Sequence, residues 1–92
     1  MTLDKDKRNV LTAFKKARSL TDKIIGMTED GEYCVDIMQQ NLAVIGLLKS
    51  AHQQLMSNHL RTCFRNAMAS KQEKIKSQMV EEILKVNKLA GK

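Results

Sequence analysis

From Cys34 to Cys63 the chain reads CVDIMQQNLAVIGLLKSAHQQLMSNHLRTC, and this run constrains the fold more than any other part of the sequence. It holds no proline, and Gly46 is its only strong helix-weakening residue. Met38, Leu42, Ile45, Leu48 and Leu55 recur at helical spacing, which predicts one long helix from about Glu32 to about Ala69. A helix of that length fixes where its cysteines and histidines can go. His59 and Cys63 are four residues apart and share a face. Cys34 lies 25 residues before His59, roughly 37 Å along the axis at 1.5 Å per residue. Nothing in the stretch would fold it back. A second copy running antiparallel places Cys34 of one chain beside His59 and Cys63 of the other, and two-fold symmetry repeats the contact.

The rest of the chain reads as two further helices, giving a single all-α domain over residues 1–92. Residues 1–8 are charged and expected to fray. The first helix is expected over about 5–27, with Val10, Phe14, Ala17 and Ile24 as its apolar stripe, helped by Leu11, Leu20 and Ile25. Thr28-Glu29-Asp30-Gly31 has turn chemistry and is short enough to make the first two helices an antiparallel hairpin. Ser70-Lys71-Gln72-Glu73 fits a capping box opening a last helix over about 71–89. Ile75, Met79, Ile83 and Val86 are its stripe, and Gly91 its C-cap. Met38, Ile45, Leu48, His52, Leu55 and His59 make a heptad-like seam suited to bundle packing.

Ninety-two residues build a small core, so association with further copies is a natural source of burial. Only 3% of residues are aromatic, too few for most enzyme pockets or base-stacking platforms. The formal charge of +6 points to polyanionic partners, nucleic acid or an anionic membrane. No apolar run is long enough to cross a bilayer, and MTLDKDKRNV lacks the apolar core of a secretory leader. The expectation is a cytosolic protein whose two cysteines stay reduced, which favours metal binding or thiol chemistry over a structural disulfide.

Two thiolates and an imidazole suit soft or borderline ions: Cu(I), Zn(II), Ni(II) or Co(II). With no fourth ligand evident, three-coordinate Cu(I) is favoured. The plainer alternative makes Cys34 and Cys63 small core hydrophobes and His59 a polar seam residue. His52 is a spare ligand or, more simply, a seam or surface histidine. Tyr33 either packs over the site and hydrogen-bonds near the thiolate or is an ordinary tyrosine at a helix start. The methionines read as packing. Lys15, Lys16 and Arg18, with Arg61 and Arg65 elsewhere, are candidates for phosphate contacts or for a solvated face. No helix-turn-helix, zinc finger, phosphate loop or catalytic triad is visible, so catalysis is poorly supported.

Two segments, EYCVDIMQQNLAV (32–44) and LMSNHLRTC (55–63), resemble the CsoR/RcnR/FrmR family of metal- and aldehyde-responsive bacterial repressors, with similarity over about residues 7–88. The resemblance implies a three-helix protomer, an antiparallel dimer and a dimer of dimers. It implies Cu(I) held by Cys34 of one protomer with His59 and Cys63 of the other. All three ligands of the copper-sensing type are present, which puts Cu(I) first and Zn(II) or Ni(II) second. It also implies an apo repressor that binds double-stranded operator DNA and is released by Cu(I), with Lys15, Lys16 and Arg18 on the DNA side. Three departures stand out. The family's first-helix run, RLKRIEGQVRGI, corresponds here to AFKKARSLTDKI (13–24), which keeps the basic pair but not the Gly-Gln-Val-Arg-Gly part. Ile45 stands where an arginine is usual. The acidic residue on the last helix that supports the ligand histidine has no clear counterpart: Ser77 to Met79 fall near it, with Glu81 and Glu82 just beyond. These departures leave open a second reading: a metal-binding or thiol- and electrophile-sensing protein of the same fold with altered or lost DNA binding.

Overall fold

The structure, a computed structural model, describes residues 4–91, with side chains from residue 7 onward. Its elements are α1 (Asp4–Glu29), α2 (Cys34–His59), a π-helical segment (Leu60–Phe64), α3 (Arg65–Ala69) and α4 (Glu73–Ala90). No strand occurs among the described residues, as an all-α chain requires. Residues 1–3 of the expected frayed terminus lie outside those described, and from Asp4 the backbone is already helical. The chain divides after Ser57 into two compact units.

The first unit is a helical hairpin closed by Gly31. The N–H of Glu32 donates to the Met27 carbonyl (3.0 Å) and that of Gly31 to Thr28 (3.1 Å), the paired bonds of a Schellman cap. Gly31 sits at φ +67°, where a side chain would clash with the backbone, so the glycine is what lets α1 end and the chain turn. Val10, Ala17 and Met27 of α1 and Val44 and Ala51 of α2 are buried in this unit. Ala51 is only 1% exposed. Small residues on the inward stripe permit close approach of the helices.

The outward stripe of α2 is unlike that of an ordinary surface helix. Met38 (54%), Leu42 (65%), Ile45 (44%), Leu48 (44%) and Leu55 (38%) are all exposed. The apolar periodicity that predicts this helix therefore belongs mainly to the face turned away from its own hairpin, not to the core of the chain. The reason is that α2 is apolar on two sides, and the narrower Val44–Ala51 side suffices for one antiparallel neighbour. On α1, likewise, Val10 and Ala17 are buried as expected, but Phe14, Leu11 and Ile25 are exposed. No large side chain is fully buried among the described residues.

In the second unit the expected uninterrupted helix over 32–69 is corrected: helical winding persists to Ala69, but residues 60–64 are π-wound. The Thr62 hydroxyl donates to the Asn58 carbonyl four residues back at 2.7 Å, a bond that Thr21 and Thr28 also make in α1, where the winding stays α-helical. The capping box is corrected too. Ser70 ends α3 in an extended conformation, and its Oγ accepts the N–H of Gln72 at 3.1 Å. Gln72 becomes the N-cap of α4, and Glu73, instead of reaching back, lies 3.5 Å from Lys76 in a surface ion pair. α3 packs against α4, with Ala67 buried. α4 itself buries no residue: Met79 and Ile83 are half-buried, while Val80, Leu84, Val86 and Leu89 are exposed. Gly91 caps α4 as expected, its N–H donating to Asn87 at 3.1 Å, but with right-handed φ. No helix among the described residues is long and apolar enough to cross a membrane.

Candidate metal centre

Cys34 is the first residue of α2. The preceding Tyr33 carbonyl accepts the N–H groups of Asp36 (3.0 Å) and Ile37 (3.2 Å), which makes Tyr33 the N-cap. Asp36 in the first turn complements the positive end of the helix. Tyr33 is 67% exposed, so within one chain most of its surface is open to solvent. Gln40, Val44 and Ala51 turn inward, whereas Cys34, Met38, Leu42, Ile45, Leu48 and His52 remain exposed.

His59 is the last residue of α2 and is half-buried. Cys63 lies in the π segment directly beyond it and is exposed. Asn58, next to His59, is buried, and its Oδ1 accepts Arg61 Nη2 at 3.3 Å. The Thr62 hydroxyl lies 3.7 Å from Cys63 Sγ. His59 and Cys63 thus flank one wide turn, while Cys34 stands at the opposite end of α2.

Both cysteines are free thiols on the surface. That disfavours the plainer reading of Cys34 and Cys63 as core packing, because an unpaired cysteine used for packing is normally buried. Among the described residues, no three His, Cys, Asp or Glu side chains gather to hold an ion within a single chain. The donor chemistry nevertheless fits a soft ion: two sulfurs and one imidazole nitrogen, with no carboxylate among them. Glu81 and Glu82 are exposed along a shallow cleft of α4 with Leu84, Lys85 and Lys88.

On α1, Lys15 and Lys16 line a shallow open cleft together with Thr12, Ser19, Leu20 and Lys23. Arg18 is exposed but does not line it. Lys23 joins the basic pair in its place. Its signal in the sequence is the spacing Lys15, Ser19, Lys23, successive fours along one face of a helix.

The family model for the metal-sensitive transcriptional repressors matches residues 6–88. A copper-sensing transcriptional repressor CsoR of Mycobacterium ulcerans (strain Agy99) is 45% identical over 62 residues, which is 67% of this chain and 53% of that protein. The corresponding repressor of Mycobacterium tuberculosis (strain H37Rv) is 42% identical over 62 residues, 67% of this chain and 52% of its own length. The chain therefore spans about half the length of the curated relatives it matches. A crystal structure of the copper-sensing repressor CsoR with Cu(I), from Geobacillus thermodenitrificans NG80-2, superposes with a TM-score of 0.87 at 25% identity, covering 100% of this chain and 93% of that one.

Proposed function

The chain belongs to the metal-sensitive transcriptional repressor family, and from that membership we propose that it is a Cu(I)-responsive repressor. In this reading it acts in the cytosol, holds double-stranded operator DNA in the metal-free state and releases it when Cu(I) binds between subunits. Its role is regulatory, not catalytic.

One observation carries the proposal. Three soft donors, Cys34, His59 and Cys63, do not meet within a chain, yet the exposed apolar stripe of α2 runs on from Cys34. An antiparallel second copy covers that stripe and completes the donor set. Cys34 of one protomer then faces His59 and Cys63 of its partner, and Tyr33, exposed in the lone chain, lies beside the completed site. A pair of such dimers gives the tetramer.

When bound, Cu(I) would supply a coordinate cross-link between the two protomers through Cys34 of one and His59 and Cys63 of the other. The chain's own residues do the rest. Cys34 and Cys63 provide thiolates that select a soft ion over hard ones. His59 adds the third donor. Lys15, Lys16 and Lys23, with Arg18 nearby, offer cations to the DNA backbone, and contacts of that type hold a duplex without reading its bases. Copper and DNA are linked through the conformation of the assembly, a negative coupling that in such systems is typically about 1–3 kcal/mol.

A second reading rests on two positions. Asp22 lies on α1 beside the cleft lysine Lys23, and Ile45 occupies the α2 position where the family usually carries arginine. Both weaken a DNA-binding face and suit a protein that handles copper without binding an operator. The deciding experiment is an anaerobic Cu(I) titration against a chromophoric chelator, repeated with the chain's own promoter fragment by fluorescence anisotropy. One tight Cu(I) per protomer with release of bound DNA is the expected result. Tight Cu(I) with no DNA binding at low salt selects the second reading, and absence of tight Cu(I) sinks both.

A further inference from the structure

The π segment begins at the residue after His59 and ends at the residue after Cys63, so it spans the gap between the two candidate ligands. One hydroxyl touches both sides of that gap. Thr62 Oγ1 donates to the carbonyl of Asn58, the neighbour of His59, at 2.7 Å, and lies 3.7 Å from Cys63 Sγ. Asn58 is a firm anchor, being 6% exposed and bonded through Oδ1 to Arg61. The turn closes with the N–H of Arg65 on the Thr62 carbonyl. An exposed cysteine in a helical segment otherwise samples two staggered χ1 wells, at about 180° and about −60°. In a π turn residue i+4 stops short of a full revolution, whereas in an α-helix it passes it, so the winding sets the angle between His59 and Cys63.

We infer that Thr62 is a positioning residue of the metal centre: its hydroxyl, fixed by donating to the Asn58 carbonyl, stands beside the Cys63 sulfur and restricts that sulfur to the register at which His59 and Cys63 meet one ion. The inference rests on the reading of those two residues as ligands. It assigns a role to a side chain that itself contacts no metal.

The test compares Thr62→Val, which keeps the shape and loses the hydroxyl, with Thr62→Ser, which keeps the hydroxyl; Thr62→Ala replaces the valine variant should that one fail to fold. Two readouts are taken on the full chain. The first is metal-free: the rate of Cys63 alkylation divided by that of Cys34 in the same molecule, by mass spectrometry. The second is Cu(I) affinity by chelator competition. Thr62→Val is expected to shift the alkylation ratio and to weaken Cu(I) by about three- to tenfold, the scale of one lost hydrogen bond, and Thr62→Ser to restore both. A purely structural role for Thr62 lowers thermal stability without selective change at Cys63. Valine values within about twofold of wild type in either readout, or a serine variant as impaired as the valine one, overturn the inference. Should the unaltered protein bind no Cu(I), the repressor reading fails by itself. The role of Thr62 at the turn then stands or falls on the alkylation ratio alone.

Discussion

In the proposed repressor most turns on Cys34 and Cys63, because each would need the other chain's donors to hold a metal. This gives a prediction sharper than loss of binding in single variants. Cys34→Ala and Cys63→Ala are each expected to abolish tight Cu(I) binding and to leave metal-free DNA binding intact. Mixed one to one and allowed to exchange, the two variants form heterodimers in which one of the two sites is whole. Random pairing makes half the dimers mixed, so capacity should return to about a quarter of wild type. Titration of the mixture with Cu(I) measures it. A mixture as inert as its components would place all three donors in one chain, against the helix that holds Cys34 and His59 at its two ends. Their separation along one helix is legible from spacing alone. Lys23 is harder to read: its spacing from Lys15 and Ser19 is visible, but on a helix already rich in lysine that spacing does not separate a cleft from a solvated face.

At the level of the element, α2 shows why periodicity reveals a helix more readily than its environment. The sequence pattern was right about winding and about the hairpin turn, where Gly31 is required by a positive φ. It did not say which of two apolar stripes turns inward, since Val44 and Ala51 are less conspicuous than Leu42 and Ile45 yet are the buried ones. Nor did it reveal the π segment. A threonine in a helix bonds back to the preceding turn or points to solvent depending on rotamer, and the sequence LRTCF is compatible with either. The outward stripe yields its own prediction. Ile45→Glu places a charge on a face that is 44% exposed in the lone chain but covered in the proposed dimer. Burying an unpaired charge costs several kcal/mol, so association should fail at micromolar concentration while the hairpin stays helical. Sedimentation velocity and far-ultraviolet circular dichroism separate these outcomes. Retained assembly would mean that the partner lies on another surface, and Cu(I) binding should survive with it.

For the whole molecule the question is how a chain with a formal charge of +6 treats DNA when its first helix departs from the family pattern. The charge guarantees attraction to any polyanion, so binding at low salt has little diagnostic value. The slope of affinity against salt has more. Each phosphate neutralised adds about 0.9 to the slope of log K against log salt for duplex DNA. Replacing Lys15, Lys16 and Lys23 by glutamine should therefore reduce the slope by about 0.9 for every lysine that meets a phosphate, and leave Cu(I) affinity in the absence of DNA unchanged. Arg18→Gln, outside the cleft, should change the slope less than any one of the three. Anisotropy titrations across a salt series measure both. Linkage adds a condition that uncoupled attraction does not meet: Cu(I) must weaken DNA binding by a factor well above one, and DNA must then weaken Cu(I) binding by that same factor. Equal factors with a reduced slope would place DNA and copper on one coupled assembly. A slope indifferent to the three lysines would move the DNA off α1, and a Cu(I) affinity indifferent to DNA would leave the protein a copper binder whose charge merely attracts nucleic acid.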